Sequence, residues 1–370
     1  SFGKEFSPKI CKLNVNYRSK GEIIALAGRV IGHNKNRLDK KIIGTEKDFK
    51  PGSAVQVQEF QGMTEQNEKI REEILVYRNR GIPYREMAVL FRTNTQARAI
   101  SAKLKEYNIP FVMKEMVPNL YDHWIVRDIL TYIKVACGNR ERGNVMRIIN
   151  RPKRYVHRNA LVDAYIDLEE LELFYEDKDW MVDRIVNLRA DLGLIADMRP
   201  YAAVNFIRRG VGYDDYIQEY AEYCGIRAGD MYEILDELQE ASKGFKDFEE
   251  WFAYIESYGE ELKKQSEKSR QRDNGQPEDA VLLMTMHGAK GLEFECVFIP
   301  DVNEGVTPYS KAVLTEDIEE ERRMFYVAMT RAKSHLHIYY LKERFSKEVS
   351  VSRFVGEMLG AEDAESYAFP

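Results

Sequence analysis

Cysteine is scarce in this chain of 370 residues: Cys11, Cys137, Cys224 and Cys296 are scattered without paired spacing. That pattern argues against a disulfide framework and against a zinc site, and it suits a reducing cytoplasm. No run of eighteen apolar residues occurs and the first residues form no charged-then-apolar leader, so neither a membrane span nor an export signal is expected. A basic excess is missing as well. With 55 Lys and Arg against 61 Asp and Glu the net charge is -6, so the chain as a whole exerts no pull on nucleic acid and any such binding must come from local patches. Two nucleotide-site signatures are lacking: a phosphate-cradling G-x-x-x-x-G-K-[ST] loop and an apolar strand ending in paired acids. Gly3-Lys4 has no upstream glycine at the right distance, and Pro300-Asp301 is followed by Val302.

What the chain does carry is concentrated in 281–333, VLLMTMHGAKGLEFECVFIPDVNEGVTPYSKAVLTEDIEEERRMFYVAMTRAK. VLLMTM (281–286) is a short, almost unbroken apolar run and reads as a buried strand. His287, Gly288, Lys290 and Gly291 follow at once, in a turn past the carboxyl end of a parallel strand, where open α/β sheets bind ligands. A second strand is expected over 296–300. From Asp317 to Lys333 the apolar residues Ile318, Phe325, Met329 and Ala332 fall on helical spacing. Asp317, Glu319, Glu320 and Glu321 suit the positive start of such a helix, and Arg331 and Lys333 suit its far end. Taken alone, this is also the pattern of an ordinary surface helix with balanced charge.

Two blocks in order, T-M-H-G-A-K-G-L-E-F (285–294) and E-E-E-R-R-M-F-Y-V-A-M-T-R-A-K (319–333), resemble motifs V and VI of the UvrD/Rep/PcrA family of superfamily-one DNA helicases. Near the start, L-N-V-N-Y-R-S (13–19), followed by a helix and N-K-N-R, resembles motif IV of that family. The stretch AVLFRTNTQARAISAKLKEYNIPF (88–111) resembles a further family block. The resemblance implies a role for each matching residue. Tyr17 would stack on the adenine of ATP, Arg18 and Arg331 would reach its terminal phosphate as arginine fingers, and Glu293 would meet the ribose. Arg92, Thr93 and Asn94 would lie beside the translocating strand, Thr285 and His287 would touch it, and Lys290 would help position their loop. The residue types suit these tasks, since an aromatic face stacks on any base and a guanidinium fork binds phosphate bidentately. From the residues alone, Arg92 to Asn94 are polar groups in a strand-to-helix turn, open equally to a structural role.

Alternating strand and helix up to Phe111, resumed at Ala280, predicts an α/β fold, a parallel-sheet domain interrupted by a mostly helical insertion; the resemblance implies that the sheet domain is RecA-like. The expected boundaries are 1–112 and 278–358 for the sheet domain, 113–277 for the insertion and 359–370 for a loose acidic tail. Ser19 is expected to cap a helix over 21–31, inside a segment (12–41) with eight Lys and Arg against two acids. Within the insertion, 141–160 hold six Lys and Arg against one acid and 161–183 hold nine acids against one lysine, a pair suited to mutual compensation or to a binding face. R-I-I-N-R-P-K-R (147–154) resembles the family's inserted domain. Where the family continues with a glycine-containing hairpin turn that approaches duplex backbone, Tyr155-Val156-His157 stands instead, which puts duplex contact by this turn in doubt. Residues 256–278 read as a flexible connector and 334–340 as a last strand carrying two solvated histidines, His335 and His337.

The whole pattern is expected of the C-terminal half of an ATP-dependent DNA helicase, in which ATP and Mg²⁺ are held mainly by an N-terminal RecA-like half that this chain does not include. Implied partners are single-stranded DNA, a junction between single- and double-stranded DNA, and that N-terminal half; no membrane is implied. The alternative is a non-enzymatic nucleic-acid-binding or protein-interaction module of the same fold.

Overall fold

The computed structural model describes residues 15–35, 43–44, 49–93, 96–114, 119–271 and 279–367, which divide between two compact units. One unit combines Ser1–Val117 with Arg272–Pro370; the other is Pro118–Gln271. The first part of the sheet unit contains α1 (Gly21–Gly32), β1 (Val55–Phe60), α2 (Met63–Asn79), β2 (Met87–Phe91), α3 (Ala97–Glu106) and β3 (Phe111–Met113). The helical unit follows with α4 (Trp124–Ala136), α5 (Arg142–Ile148), α6 (Leu168–Phe174), α7 (Asp179–Ala196), α8 (Pro200–Arg209), α9 (Tyr213–Cys224), α10 (Ala228–Ala241) and α11 (Phe248–Gln271). The chain then re-enters the sheet unit with β4 (Val281–Thr285), β5 (Phe294–Ile299), α12 (Thr315–Met329), β6 (Ala332–Leu341) and α13 (Arg353–Tyr367). No helix among the described residues is long and apolar enough to cross a membrane.

The six strands form one wholly parallel sheet in the order β1-β6-β5-β2-β4-β3. Its apolar runs are explained by cover on both faces. In β2, Met87, Val89 and Phe91 join the core under α2 and α3, whereas Ala88 and Leu90 join the core that includes α1, α12 and α13. Burial also explains why α1 forms without the expected cap. Lys20, not Ser19, holds its N-cap position and makes no side-chain cap hydrogen bond, while the buried Ser19 hydroxyl has no partner among the described residues. A missing cap costs about 1 kcal/mol. The fully buried Ile23, Leu26 and Val30 each contribute roughly 1.5–3 kcal/mol, which outweighs it.

The helical unit has its own core, with Trp251, Tyr132 and Tyr213 among its largest fully buried side chains. Arg147, Arg151 and Arg154 of the basic stretch 141–160 turn toward this core, and the first two are met by a residue outside 161–183, whereas Arg142, Lys153 and Arg158 are exposed. The buried carboxylate of Asp128 accepts from Arg147 at 2.7 Å, from Arg151 at 2.7 Å and from the Tyr213 hydroxyl at 2.8 Å. Buried Arg154 donates to the Ile149 carbonyl and the Tyr132 hydroxyl. Of the acids in 161–183, Glu169 and Glu172 hold Arg189 of α7. Tyr155 adopts a left-handed backbone (φ 62°) at a cost of roughly 1–2 kcal/mol. Asn150 steadies the turn by exchanging hydrogen bonds with both the N–H and the carbonyl of Val156.

Four expectations are corrected. The connector is helical through Gln271, because Glu, Lys, Gln and Arg are strong helix formers and α11 is already anchored by Trp251; residues 272–278 lie outside the described residues. The acidic tail is not loose throughout: α13 continues to Tyr367 with a break at Gly360 (φ 69°). Helix α12 stops at Met329, so Arg331 sits in the turn after it and Lys333 in β6. Finally, α2 covers the histidines of β6. His337, 1% exposed, hydrogen-bonds the hydroxyls of Tyr77 (2.8 Å) and Tyr339 (3.0 Å) and stacks on Phe298, and His335 is half-buried against Tyr77.

Burial holds the His337 pKa down to about 3, helped by the nearby His335. Its unfolded value is about 6.5. Between those two values the unfolded chain binds the extra proton, so the stability due to neutral His337 is complete above pH 6.5 and is lost as the pH falls toward 3. The melting temperature is therefore expected to fall over that window, and His337→Phe to flatten the pH dependence whatever its offset at neutral pH. An unchanged slope in the variant counts against this account.

Candidate functional site

Because all six strands run the same way, the sheet has one amino edge and one carboxyl edge, and the candidate residues divide between them. At the amino edge, the Asn16 carboxamide oxygen accepts from the backbone N–H groups of Arg18 (2.8 Å) and Ser19 (3.2 Å). This is the tight Asx turn to which asparagine is suited, and it leaves the Tyr17 ring 81% exposed. The turn is docked on the start of β6 by the Lys20 N–H to Lys333 carbonyl bond (2.9 Å). Glu293 immediately precedes β5 and its carboxylate pairs with the Arg18 guanidinium. Arg331 immediately precedes β6, and its carbonyl accepts from the Phe294 N–H at 2.9 Å.

Arg331 is held by its own surroundings: its guanidinium donates to the carbonyls of Val327 and Leu292, both at 3.0 Å, and to the Thr330 hydroxyl. Burial, with the neighbouring Arg18 charge adding to it, pulls its pKa below the usual arginine value, while Glu293 opposes that shift. Arg18, Glu293 and Arg331 thus form one electrostatic group. Lys333 lies at its margin, 3.8 Å from Glu293 and 3.3 Å from Glu86. Chemically, the arrangement offers two guanidiniums, an accessible carboxylate and an exposed ring on one edge, a set suited to a polyphosphate that carries a base.

At the carboxyl edge, Thr285 ends β4 and its hydroxyl oxygen accepts from the Gly288 N–H at 3.0 Å. His287 and Lys290 are exposed in the same turn, which closes at Gly291 with φ +89°, a conformation that favours glycine. The Met286 N–H anchors the turn to the Phe91 carbonyl at 2.7 Å. Arg92 is also at this edge, but as a neutralised cation: it forms a bidentate pair with Glu321 of α12 (2.7 and 2.8 Å) and lies over the Tyr309 ring. Thr93 is half-buried beside it, and Asn94 lies outside the described residues.

Three groups escaped the sequence reading. Gln96 accepts from the N–H groups of both Arg92 and Thr93 (3.0 Å each) and donates to Asp301. Asp301, buried with φ 52° at the end of β5, is held from its other side by Gln66 at 2.7 Å. Its place directly after an apolar strand was the available signal, and it was set aside because no second acid follows. The third is Glu22, whose fully buried carboxylate accepts from the N–H groups of Gly52, Ala54 and Val55 and from the Ser53 hydroxyl. It had been readable only as an acid in a first helical turn.

This geometry is accompanied by a family match. The model of the UvrD-like helicase C-terminal domain covers residues 11–193 and 197–343. The chain belongs to that family. It is similar to the ATP-dependent DNA helicase Rep of Buchnera aphidicola, with 28% identity over 91% of this chain and 54% of Rep. It is also similar to the ATP-dependent DNA helicase PcrA of Staphylococcus epidermidis, with 29% identity over 97% of this chain and 51% of PcrA, and to the putative ATP-dependent DNA helicase YjcD of Bacillus subtilis, with 28% identity over 97% and 47%. The chain therefore spans about half the length of the curated relatives it matches.

Within this family member Glu22 ties α1, and with it the Arg18 turn, to the loop before β1. Glu22→Gln replaces an acceptor-only carboxylate by a group that must also donate among four donors. The expected result is a loss of about 2 kcal/mol in the unfolding free energy of the sheet unit, measured by urea titration. An unshifted midpoint would show that the carboxylate is not needed.

Proposed function

We propose that this chain is the C-terminal part of an ATP-dependent DNA helicase that moves 3′ to 5′ along single-stranded DNA and unwinds duplex at a junction. In this reading residues 1–112 and 278–358 are the second RecA-like motor domain and 113–277 its helical insertion. ATP lies between this domain and the N-terminal RecA-like half of the same protein, in the cytoplasm. The observation that carries the reading is the meeting of Arg18, Glu293 and Arg331, drawn from three separate motifs, at one sheet edge. A surface helix with balanced charge has no need of that convergence.

The residues act as follows. The exposed Tyr17 ring stacks on the adenine, tolerating it by its π-face alone. Arg18 exchanges the Glu293 carboxylate for the terminal phosphate, and the released Glu293 accepts from a ribose hydroxyl. Arg331, already oriented by Val327 and Leu292, stabilises charge as the phosphoryl group leaves. No cluster of described carboxylates, histidines or cysteines is arranged to hold a metal, and magnesium belongs in this reading to the other half. At the opposite edge Thr285 and His287 contact phosphates of the strand, a set of donors with little capacity to read base edges. Lys290 steadies their turn, and Arg92, Thr93 and Asn94 are assigned to the same strand contact in this reading.

In the longer protein, Arg331→Ala is expected to lower kcat for ATP by roughly 10³-fold, the scale of an arginine finger, with folding intact. The 370-residue chain alone is expected to hydrolyse no ATP with or without single-stranded DNA. Unchanged turnover in the variant, or DNA-stimulated turnover by the chain alone, would overturn the assignment.

A further inference from the structure

The helical unit contains two grooves of opposite charge. One, of about 610 Å³, lies between α6 and α7 and is lined by Glu169, Glu172, Glu176, Asp179 and Asp183 around a single Arg189. The other, of about 420 Å³, is formed by α4, α5 and α11; Arg127, Lys134 and Arg147 line it and no carboxylate does. We propose that this second groove binds the phosphodiester backbone of a nucleic-acid strand, a contact that rests on the reading of the parent protein as a DNA helicase.

The charge balance carries the argument. Arg147 and Arg151 share the one buried carboxylate of Asp128, so this cluster retains one positive charge. Arg147, which lines the groove, uses Nε on Asp128 and Nη2 on the Trp124 carbonyl, and its Nη1 makes no hydrogen bond among the described residues. Lys134 has no ion pair among the described residues; its ammonium lies 5.5 Å from the centre of the Phe252 ring. Arg127 pairs with Asp122 at 2.8 Å, but both side chains are more than half exposed, and such a pair contributes only about 0–1 kcal/mol. Exchanging Asp122 for phosphate therefore costs little.

Shape and spacing select the ligand. Arg127 and Lys134 are two helical turns apart on one face of α4, about 10 Å along the axis. That spacing sets the two cations out along a strand rather than around one inorganic ion. Tyr121, Leu130 and Ile255 add an apolar wall on which sugar or base can rest. The acidic groove between α6 and α7, by contrast, repels phosphate.

The test is fluorescence anisotropy of a labelled oligothymidylate with the 370-residue chain, between about 50 and 200 mM salt. Arg127→Gln combined with Lys134→Gln is expected to reduce the slope of log affinity against log salt by about 1 to 1.5, the loss of two single-strand phosphate contacts. Lys134→Arg should retain the parent slope, and Glu176→Gln in the acidic groove should leave it unchanged. Both replaced side chains are exposed, and an unshifted melting temperature checks that the variant folds. Inorganic phosphate at matched ionic strength should not displace the oligonucleotide; if it does, a free anion is the ligand and the strand is ruled out. Intact binding with an unchanged slope in the double variant overturns the groove alone and leaves the helicase reading standing. Failure of the unsubstituted chain to bind oligonucleotide overturns the groove, and DNA-stimulated ATP turnover by the longer protein then decides the helicase reading separately.

Discussion

The sheet unit depends on one pairing, the insertion of β4 between β2 and β3. Both neighbours precede the helical unit in the chain and β4 follows it, yet Ala88–Phe91 pairs with Leu282–Thr285 and Phe111–Met113 with Val281–Leu283. Without β4, β3 has no partner in the sheet, and α3 loses part of the surface on which Ile100 and Leu104 are buried. The apolar run 281–286 is accordingly dense: its residues are shared between the cores on the two faces. A strand covered on both sides cannot slip by one residue without exchanging its two faces, so the register is fixed, and with it the position of every residue just past Thr285.

That fixed register relates the two edges. The loop 286–293 leaves β4 at the carboxyl edge, where Thr285 and His287 lie, and delivers Glu293 to the amino edge at the start of β5. Helix α12 spans the same distance in the same direction. Glu321 holds Arg92 at the carboxyl edge, and Arg331 follows the helix end at the amino edge, donating back to Leu292 at the end of the loop. Two covalent paths therefore join the edges, and the Arg331–Leu292 bond links them. A shift of either path at one edge must be accommodated at the other, because a close-packed core deforms poorly.

The sequence was informative where the pattern is local. Apolar runs located β2, β4 and β5 within a few residues, and the clustered small and polar residues after 286 marked the turn. It was less informative where partners are distant. The fate of Arg92 depends on Glu321, 229 positions away, and that of Glu22 on backbone amides at 52–55; neither pairing has a sequence period. His335 and His337 alternate as an edge strand would, and only the cover provided by Tyr77 of α2 makes them interior. For the basic stretch 141–160 the sequence left compensation by 161–183 and a binding face equally open, because composition does not show which way a guanidinium points. Asp128, the one acid of α4 and fully buried, holds two of those arginines.

The two candidate arginine–carboxylate pairs differ in how readily they exchange partners. Arg18 and Glu293 are 40% and 45% exposed, so water competes for both and the pair contributes little to stability. Arg92 and Glu321 are 21% and 8% exposed, bidentate, and backed by the Tyr309 ring and its N–H. Breaking that pair would leave a buried carboxylate short of a partner, at a cost of several kcal/mol. The pair at the amino edge is thus the easier of the two to open and the pair at the carboxyl edge the harder. The bidentate pair keeps Arg92 in place and fixes α12 to the carboxyl edge. Arg18 and Glu293, each nearly half exposed at the amino edge, can part at little cost to the core beneath them.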